Sequence, residues 1–266
     1  MKKIQLLMLA LAGFVVTSRA ADGFADSVVS YDPGTGYVAG FTNVSAVLGE
    51  PSTNNPYGEA TDVFDPPYGT DQILSIGAGG SLTVEFKKPV LHHPRNPFGI
   101  DFIIFGNTGF IITNDFDYAT FNWIGTPATD GSLFAENDGE TRVSVSQDGR
   151  KFYVLNPALA PTVDGLYPTD GSGDFHKAVD PTLTPADFSG LTEANIQALY
   201  NGSGGGTGYD ISWAQDAKGK SVRLSEIRFI RVEVLSGHSE VDAFSAVSVP
   251  RDHDRDHDRD DNRCRQ

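Results

Sequence analysis

Two carboxylates near the C-terminal end of the chain are the first residues that could do chemistry. Glu240 and Asp242 are two positions apart in an apolar segment that predicts a strand, so both side chains would point to one face, about 6 to 7 Å apart. Carboxylates at this spacing repel each other unless a cation or water lies between them. Calcium takes six to eight oxygen ligands and would suit the pair with help from Asp32 or Glu50. Two alternatives stay open: a solvated strand end, and the acid and nucleophile of a retaining glycosidase, whose carboxyl groups lie about 5 to 5.5 Å apart.

A second group combines polar and aromatic side chains in the middle of the chain. Its polar members are Asp101, Asn107, Asn114, Asp115 and Asp117, and its aromatic members are Phe116, Tyr118, Phe121 and Trp123. Carbohydrate sites use both kinds of residue, because aromatic faces stack on sugar C–H groups while amides and carboxylates bind the hydroxyls. We take Asn107, Asp115, Asp117, Tyr118 and Trp123 as candidate ligand-binding residues. The alternative is that the aromatic rings fill the core and the acids cap turns.

A glycine-rich run from residue 203 to 208 precedes a third candidate group, Tyr209, Asp210 and Trp213. The run lacks the lysine of a phosphate-binding loop and follows a predicted helix instead of opening one, so nucleotide binding is not expected. We interpret it as a flexible or tightly turning connection that brings Tyr209 and Trp213 to the edge of the fold as further ligand-binding candidates.

Patterns of the common hydrolases and metalloenzymes are missing from the sequence. There is no Gly-x-Ser-x-Gly elbow, no His-Glu-x-x-His helix and no Cys-x-x-Cys pair. The histidines at positions 92, 93, 176 and 238 are expected to be surface polar residues. The sequence therefore predicts a protein that is not an enzyme.

The elements that must position these residues are strands. Val143 to Tyr153 reads as an alternating strand, an Asp148-Gly149 turn and a second strand, and Asp and Gly tolerate the positive φ of a tight hairpin turn. Further predicted strands cover 27–31, 72–76, 81–86, 100–105, 110–113, 141–146, 152–155, 223–235 and 241–249. Short strands with glycine and proline punctuation favour an all-β fold, a two-sheet antiparallel sandwich of jelly-roll type.

Two segments interrupt the strand pattern. Thr192 can cap one short helix over residues 193–200, with Gly202 available to end it. Residues 156–190 are rich in Pro, Asp, Gly and Thr, which predicts either an ordered surface insertion or a mobile loop.

The two ends of the chain differ from its middle. Lys2 and Lys3, an apolar run and Ser18-Arg19-Ala20 predict a signal peptide cleaved after Ala20. The domain is then 21–250, followed by a charged repeat over 251–266 that has too few apolar residues to order. Its His253 and His257 could chelate zinc or nickel weakly, although a solvated tail is the simpler interpretation. The single cysteine, Cys264, excludes an intramolecular disulfide.

Charge and hydropathy restrict the partners. Removal of the predicted signal peptide changes the formal net charge from −15 to −18, and so acidic a chain is not expected to bind nucleic acid or anionic membranes. No later segment reaches the roughly 18 apolar residues of a transmembrane helix. We therefore expect a secreted protein, extracellular or periplasmic, that could associate with the cell surface.

Six segments, taken in order, carry a resemblance to a known group of proteins. They begin at Val47 (VLGEP), Ile73 (ILSIGAGGSLTVEF), Gly99 (GIDFIIFGN), Val143 (VSVSQDG), Tyr200 (YNGSGGGTGYD) and Ile230 (IRVEV, followed by EVDAF). Together they resemble a largely uncharacterised family of secreted or cell-surface bacterial proteins whose core is similar to the galactose-binding-like (discoidin, F5/8 type C) jelly roll. The resemblance covers about residues 27–249.

This resemblance implies a sandwich that binds glycans or other surface ligands through loops at one end, often with a structural calcium ion. Galactose-binding-like modules often place a calcium-ligating acid on the final strand, and Glu240 and Asp242 hold a comparable place. The combined prediction is a non-catalytic module that binds extracellular carbohydrate. Its alternatives are an adhesive surface protein that binds other proteins and, less favoured, a polysaccharide-cleaving enzyme.

Overall fold

The computed structural model describes residues 23–134 and 139–248, together with the backbone of residues 16–17. The strands of this part are β1 (Val16–Thr17), β2 (Ser27–Asp32), β3 (Leu74–Gly77), β4 (Ser81–Leu91), β5 (Phe102–Phe105), β6 (Gly109–Ile112), β7 (Phe116–Asp117), β8 (Asn122–Trp123), β9 (Thr129–Phe134), β10 (Glu140–Ser146), β11 (Tyr153–Leu155), β12 (Thr207–Tyr209), β13 (Ala214–Gln215), β14 (Glu226–Ser236), β15 (His238–Val241) and β16 (Ala243–Ala246). The α-helices are α1 (Pro185–Phe188) and α2 (Glu193–Tyr200).

One layer is an antiparallel sheet of seven strands in the order β1-β2-β4-β14-β10-β11-β13. Its long central strands β4 and β14 pair through Val84 and Ile230, and β14 pairs with β10 through Val232 and Val143. These side chains are buried on one face of the sheet. Alternation of apolar and polar residues along the strands therefore creates one apolar face, which needs a second layer to cover it.

The second layer consists of the sheet β12-β5-β16 and the strand pair β15-β3. Ile104 and Phe244 from this layer pack in the same buried cluster as Leu82 and Val232 from the seven-stranded sheet. The chain is thus an all-β sandwich of antiparallel sheets, as the sequence predicts. A single residue, Asp242, separates β15 from β16, so β15-β3 continues the covering layer beside β5.

The predicted hairpin is present but its turn is wider than expected. Val145 pairs with Tyr153, so six residues connect β10 to β11 instead of the two of a tight Asp-Gly turn. Asp148 Oδ1 accepts hydrogen bonds from the backbone N–H groups of Arg150 and Lys151. Gly149 has φ of 70°, whereas Asp148 is not among the residues with positive φ. The prediction of a tight turn with positive φ at both residues is wrong, because the Asp148 side chain closes a longer loop.

Residues 156–190 form an ordered insertion, which was one of the two predicted alternatives. Tyr167 and Phe188 of the insertion pack with Tyr200 of α2 and Phe110 of β6 in a second apolar cluster. Helix α2 has the predicted bounds, and the four-residue helix α1 was not predicted. The insertion thus shares a second apolar core with α2 and β6.

Glycines 205 and 206 allow β12 to reach the second layer. Both have positive φ, and a Cβ atom would lie 2.2 Å from the Pro168 carbonyl oxygen at Gly205 and 2.5 Å from the Ile103 side chain at Gly206. No side chain fits at such distances, so the glycines permit the close backbone approach. Of the two predicted forms of the glycine-rich connection, flexible or tightly turning, the structure has the tightly turning one. It places Tyr209 on β12, which pairs with β5.

The predicted signal peptide and charged tail lie mostly outside the described residues. Backbone pairing of Val16 with Val28 and of Thr17 with Ser27 makes β1 the outer strand beside β2. Cleavage after Ala20 would remove β1 and leave β2 at the sheet edge. No helix within the described ranges is long and apolar enough to cross a membrane.

Candidate functional site

Three buried acids from distant parts of the chain meet where β5 ends and β15 passes into β16. Glu240 lies on β15, Asp242 follows it, and Asp164 comes from the ordered insertion. Asn107, two residues beyond β5, touches two of them: its backbone N–H lies 3.1 Å from Asp164 Oδ2, and its Nδ2 lies 2.6 Å from Glu240 Oε2. We call Asn107, Asp164, Glu240 and Asp242 the acidic centre.

The backbone is shaped to admit these carboxylates. A Cβ atom on Gly106 would lie 2.0 Å from Asp164 Cγ, so only a glycine leaves room for this carboxylate. Asp164 itself has φ of 57°, a conformation that costs free energy in most residues and is more accessible to aspartate. Thr108 donates to Asp164 Oδ1 from its N–H and its hydroxyl, at 3.1 and 3.0 Å. Ser52 holds Asp242 in the same way, with N–H and hydroxyl contacts of 2.8 and 2.9 Å.

Burial dominates the electrostatics of the acidic centre. Removal from water raises the pKa of Asp164 to about 7, although Thr108 and Asn107 donate to it, and the neighbouring charge of Glu240 adds to the rise. Burial likewise raises the pKa of Asp242 to about 7, and Asp164 adds to that rise. Buried carboxylates so close together cost free energy when all are ionised. A proton or a bound cation would relieve this repulsion.

One buried oxygen atom of the acidic centre has no hydrogen-bond partner in the described part of the chain. Asn107 is 8% exposed, and its Oδ1 has no hydrogen-bond partner among the described residues. A buried amide oxygen without a partner costs about 1–3 kcal/mol, so its presence calls for an explanation. Carboxylate and amide oxygens are the ligands that calcium prefers. Asp164, Glu240 and Asn107 thus offer oxygen donors of the type that calcium binds.

The structure keeps part of the predicted calcium set together and separates the rest. Glu240 and Asp242 are both in the acidic centre, but both are buried instead of lying at a solvated strand end. Asp32 accepts a hydrogen bond from Gly34 N–H in the turn after β2, and Glu50 is exposed. Asp164, which the sequence analysis does not include, is the third acid of the centre. It lies 57 positions from Asn107, so no local sequence pattern identifies it.

The second candidate site is the hairpin formed by β7 and β8, which we call the aromatic hairpin (residues 115–124). Phe116 pairs with Trp123 across it, and the ring of Phe116 meets the rings of Tyr118, Phe121 and Trp123 edge to face, at 5.2, 5.9 and 5.0 Å between centroids. Tyr118 is 81% exposed, Phe121 79% and Trp123 38%. The rings thus stack on one another and not on the core. The alternative in which these aromatics fill the core is wrong.

Polar side chains give the aromatic hairpin its shape. Asp117 accepts from Ala119 N–H and Thr120 Oγ1, both at 2.8 Å, and these bonds lower the pKa of its carboxyl group. Asn114 joins the two sides of the base, because its Nδ2 donates to the carbonyls of Ile124 and Thr126 and its Oδ1 accepts from Ala128 N–H. Phe121 has φ of 55°, which is unusual for a bulky residue, and its side chain is among the most exposed of the hairpin.

The remaining predicted ligand residues lie in different surroundings. Asp115 is exposed on the aromatic hairpin, whereas Asn107 is buried in the acidic centre. Tyr209 is fully buried, stacks on Phe102 at 5.2 Å and donates its hydroxyl to the Pro161 carbonyl. Trp213 is partly buried against the core. Tyr209 therefore has no surface with which to contact a ligand, and Trp213 has little.

Comparison with models of known protein families and with curated proteins gave no match. The resemblance to galactose-binding-like proteins thus stays a prediction from the six sequence segments.

Proposed function

We propose that this protein is a non-catalytic module that binds extracellular carbohydrate through the aromatic hairpin. The observation that carries the proposal is the outward exposure of Tyr118, Phe121 and Trp123 around the ring of Phe116. Each aromatic side chain offers roughly 150–250 Å² of surface, and leaving three together in water is costly unless a ligand covers them.

The surroundings of the rings favour a sugar over an apolar protein surface. Asp115, Thr120 and Asn122 are exposed between the aromatic residues and can bind hydroxyl groups. A sugar ring presents C–H groups on one face and hydroxyls at its edge, which matches rings alternating with polar groups. The exposed Ile124 of the same hairpin would suit an adhesive protein contact, which is the alternative function.

The proposal also places a calcium ion in the acidic centre, where it would stabilise the fold. Asp164 and Glu240 would supply carboxylate oxygens, and the amide of Asn107 would turn to present Oδ1. The ion would neutralise Asp164, whose pKa is raised by burial and by the charge of Glu240. It would also join the insertion to the covering layer of the sandwich.

The burial of Glu240 and Asp242 weighs against the glycosidase alternative. A retaining enzyme needs both carboxyl groups to flank a sugar bond that enters from solvent. The carboxylate of Asp242 instead accepts hydrogen bonds from Ser52, and that of Glu240 accepts one from Asn107.

Affinity electrophoresis of the full chain through gels that contain neutral polysaccharides tests the proposal. We expect one polymer to retard the protein, and Trp123→Ala or Phe121→Ala to abolish the retardation without lowering the melting temperature, because both rings lie outside the core. Tyr57→Ala is the matched control, since Tyr57 is as exposed as Tyr118 but lies outside the hairpin. Absence of retardation by every polymer would overturn the carbohydrate proposal and favour the adhesive one.

A further inference from the structure

His92, Asp101 and Asp210 form a compact group of metal-ligating side chains apart from the acidic centre. One ligand atom from each lies within 4.8 Å of the other two. His92 Nδ1 is 2.9 Å from Asp101 Oδ2 and 3.7 Å from Asp210 Oδ1. His92 follows β4, Asp101 precedes β5 and Asp210 follows β12, so the group, which we call the His92 cluster, joins both layers of the sandwich.

The buried side of the His92 cluster is preorganised. Asp101 is fully buried, and the backbone N–H of Ile211 donates to its Oδ2 at 2.8 Å. Asn96 Nδ2 donates to the other oxygen, Asp101 Oδ1, at 2.7 Å. Asp210 is held by Ser212 N–H, which donates to its Oδ1. The two carboxylates are therefore fixed before any ligand arrives, and the partly exposed His92 leaves a path from solvent.

A polar atom without a partner lies beside these ligands. Asn96 is 6% exposed, and its Oδ1 has no hydrogen-bond partner in the described part of the chain. The same amide holds Asp101 through Nδ2, so the unpaired oxygen belongs to a side chain in direct contact with the cluster. A water molecule bound to a metal ion in the cluster would be a hydrogen-bond donor for this oxygen.

We propose that the His92 cluster binds a divalent transition-metal ion, zinc in the first instance, through His92, Asp101 and Asp210. An imidazole nitrogen with carboxylate oxygens is a donor set typical of zinc, whereas calcium takes oxygen ligands. Bonds of about 2.0–2.2 Å in a tetrahedron place neighbouring ligand atoms about 3.4 Å apart. The distances of 2.9 and 3.7 Å lie on either side of that value. Zinc coordinates the lone pair of a neutral imidazole, so any proton between His92 Nδ1 and Asp101 Oδ2 is released to solvent on binding, and the ion links the two layers.

Isothermal titration of the full chain with zinc chloride tests this proposal. His253 and His257 must first be replaced by glutamine, because histidines among aspartates in the tail could bind zinc as well. In this background we expect one zinc ion per chain, with at least tenfold weaker binding after His92→Gln or Asp210→Asn. His93→Gln is the matched control and should bind zinc as before.

Two further readouts separate the possible outcomes. The melting temperature without metal shows whether each variant folds, and zinc should raise it in the background protein but not in His92→Gln. Calcium stabilisation through the acidic centre should persist in His92→Gln, so failure of either metal site is distinguishable from failure of the other. No zinc binding in the background protein, or equal binding in every variant, would show that the His92 cluster is a hydrogen-bonded junction and would overturn the proposal.

Discussion

At the scale of single residues, the acidic centre makes stability depend on pH. Burial raises the folded pKa values of Asp164 and Asp242 to about 7, well above the ordinary value of about 3.9 for an aspartate in water. Between these values the unfolded chain has released protons that the folded chain still holds, so folding stability falls as pH rises and changes little above pH 7. In chelator we expect the melting temperature to decrease from pH 5 to pH 7.5. Differential scanning fluorimetry measures this.

Calcium and one substitution provide the controls for that pH prediction. Saturating calcium should raise the melting temperature most at pH 7.5, where the carboxylates are ionised. Asp164→Asn should flatten the profile in chelator, since one titrating group is gone. A melting temperature that rises over this range in chelator would mean that the acids are already compensated within the fold.

Gly106 is the residue on which the geometry of the acidic centre depends. Its φ is not positive, so Gly106→Ala tests the 2.0 Å approach of Asp164 and not backbone strain. We expect a loss of about 1–3 kcal/mol in the free energy of unfolding, the usual cost of overpacking. The loss should shrink in an Asp164→Gly background, where the clashing side chain is absent. Equal losses in both backgrounds, measured by urea unfolding, would place the cost elsewhere.

At the scale of elements, Asn114 holds the aromatic hairpin in shape. Asn114→Ala removes contacts to Ile124, Thr126 and Ala128, each worth about 0.5–1.5 kcal/mol. We expect faster hydrogen exchange over residues 116–124 and weaker polysaccharide binding, because a loosened hairpin must be ordered again on binding. Asn43→Ala, which removes a single cap contact to Ser45, should leave hairpin exchange unchanged. Unchanged exchange in Asn114→Ala would mean that ring stacking alone holds the hairpin.

The strands differ in how well the sequence predicts them. Strands such as β4 and β14 were predicted because buried apolar residues alternate along them. Strand β9 was missed, since Thr-Asp-Gly-Ser-Leu-Phe lacks that alternation, and its Gly131 is needed where a Cβ atom would lie 1.9 Å from the Pro185 carbonyl oxygen. Such a contact involves a segment that is distant in sequence, so no local sequence pattern predicts it.

The candidate sites also differ in how well the sequence predicts them. The aromatic hairpin is contiguous in sequence, so its residues could be listed together before the fold was known. Asp164 and His92 gain their surroundings from tertiary contacts: Asp164 through Gly106 and Thr108, His92 through Asp101 and Asp210. Composition and periodicity report which residues are available and not which of them meet.

At the scale of the whole molecule, the net charge of −15 restricts the carbohydrate that could bind. A strongly acidic protein repels an anionic polymer at low ionic strength, because at 0.01 M salt the repulsion is screened only beyond about 30 Å. We therefore expect retardation by neutral polysaccharides and none by a carboxylated form of the same polymer. Hydroxyethyl cellulose and carboxymethyl cellulose are a matched pair that differs in charge, and the same comparison applies to any backbone that retards the protein.

Ionic strength completes this test, because ring stacking and repulsion respond to it differently. Retardation by the neutral polymer should change little between 0.01 and 0.15 M salt, since stacking on Tyr118, Phe121 and Trp123 involves no ion pair. For the carboxylated polymer, added salt should weaken the repulsion and allow retardation to appear. If the carboxylated polymer bound tightly at low salt and was released as salt was added, the binding site would have to be positively charged. That result would contradict binding through the aromatic hairpin.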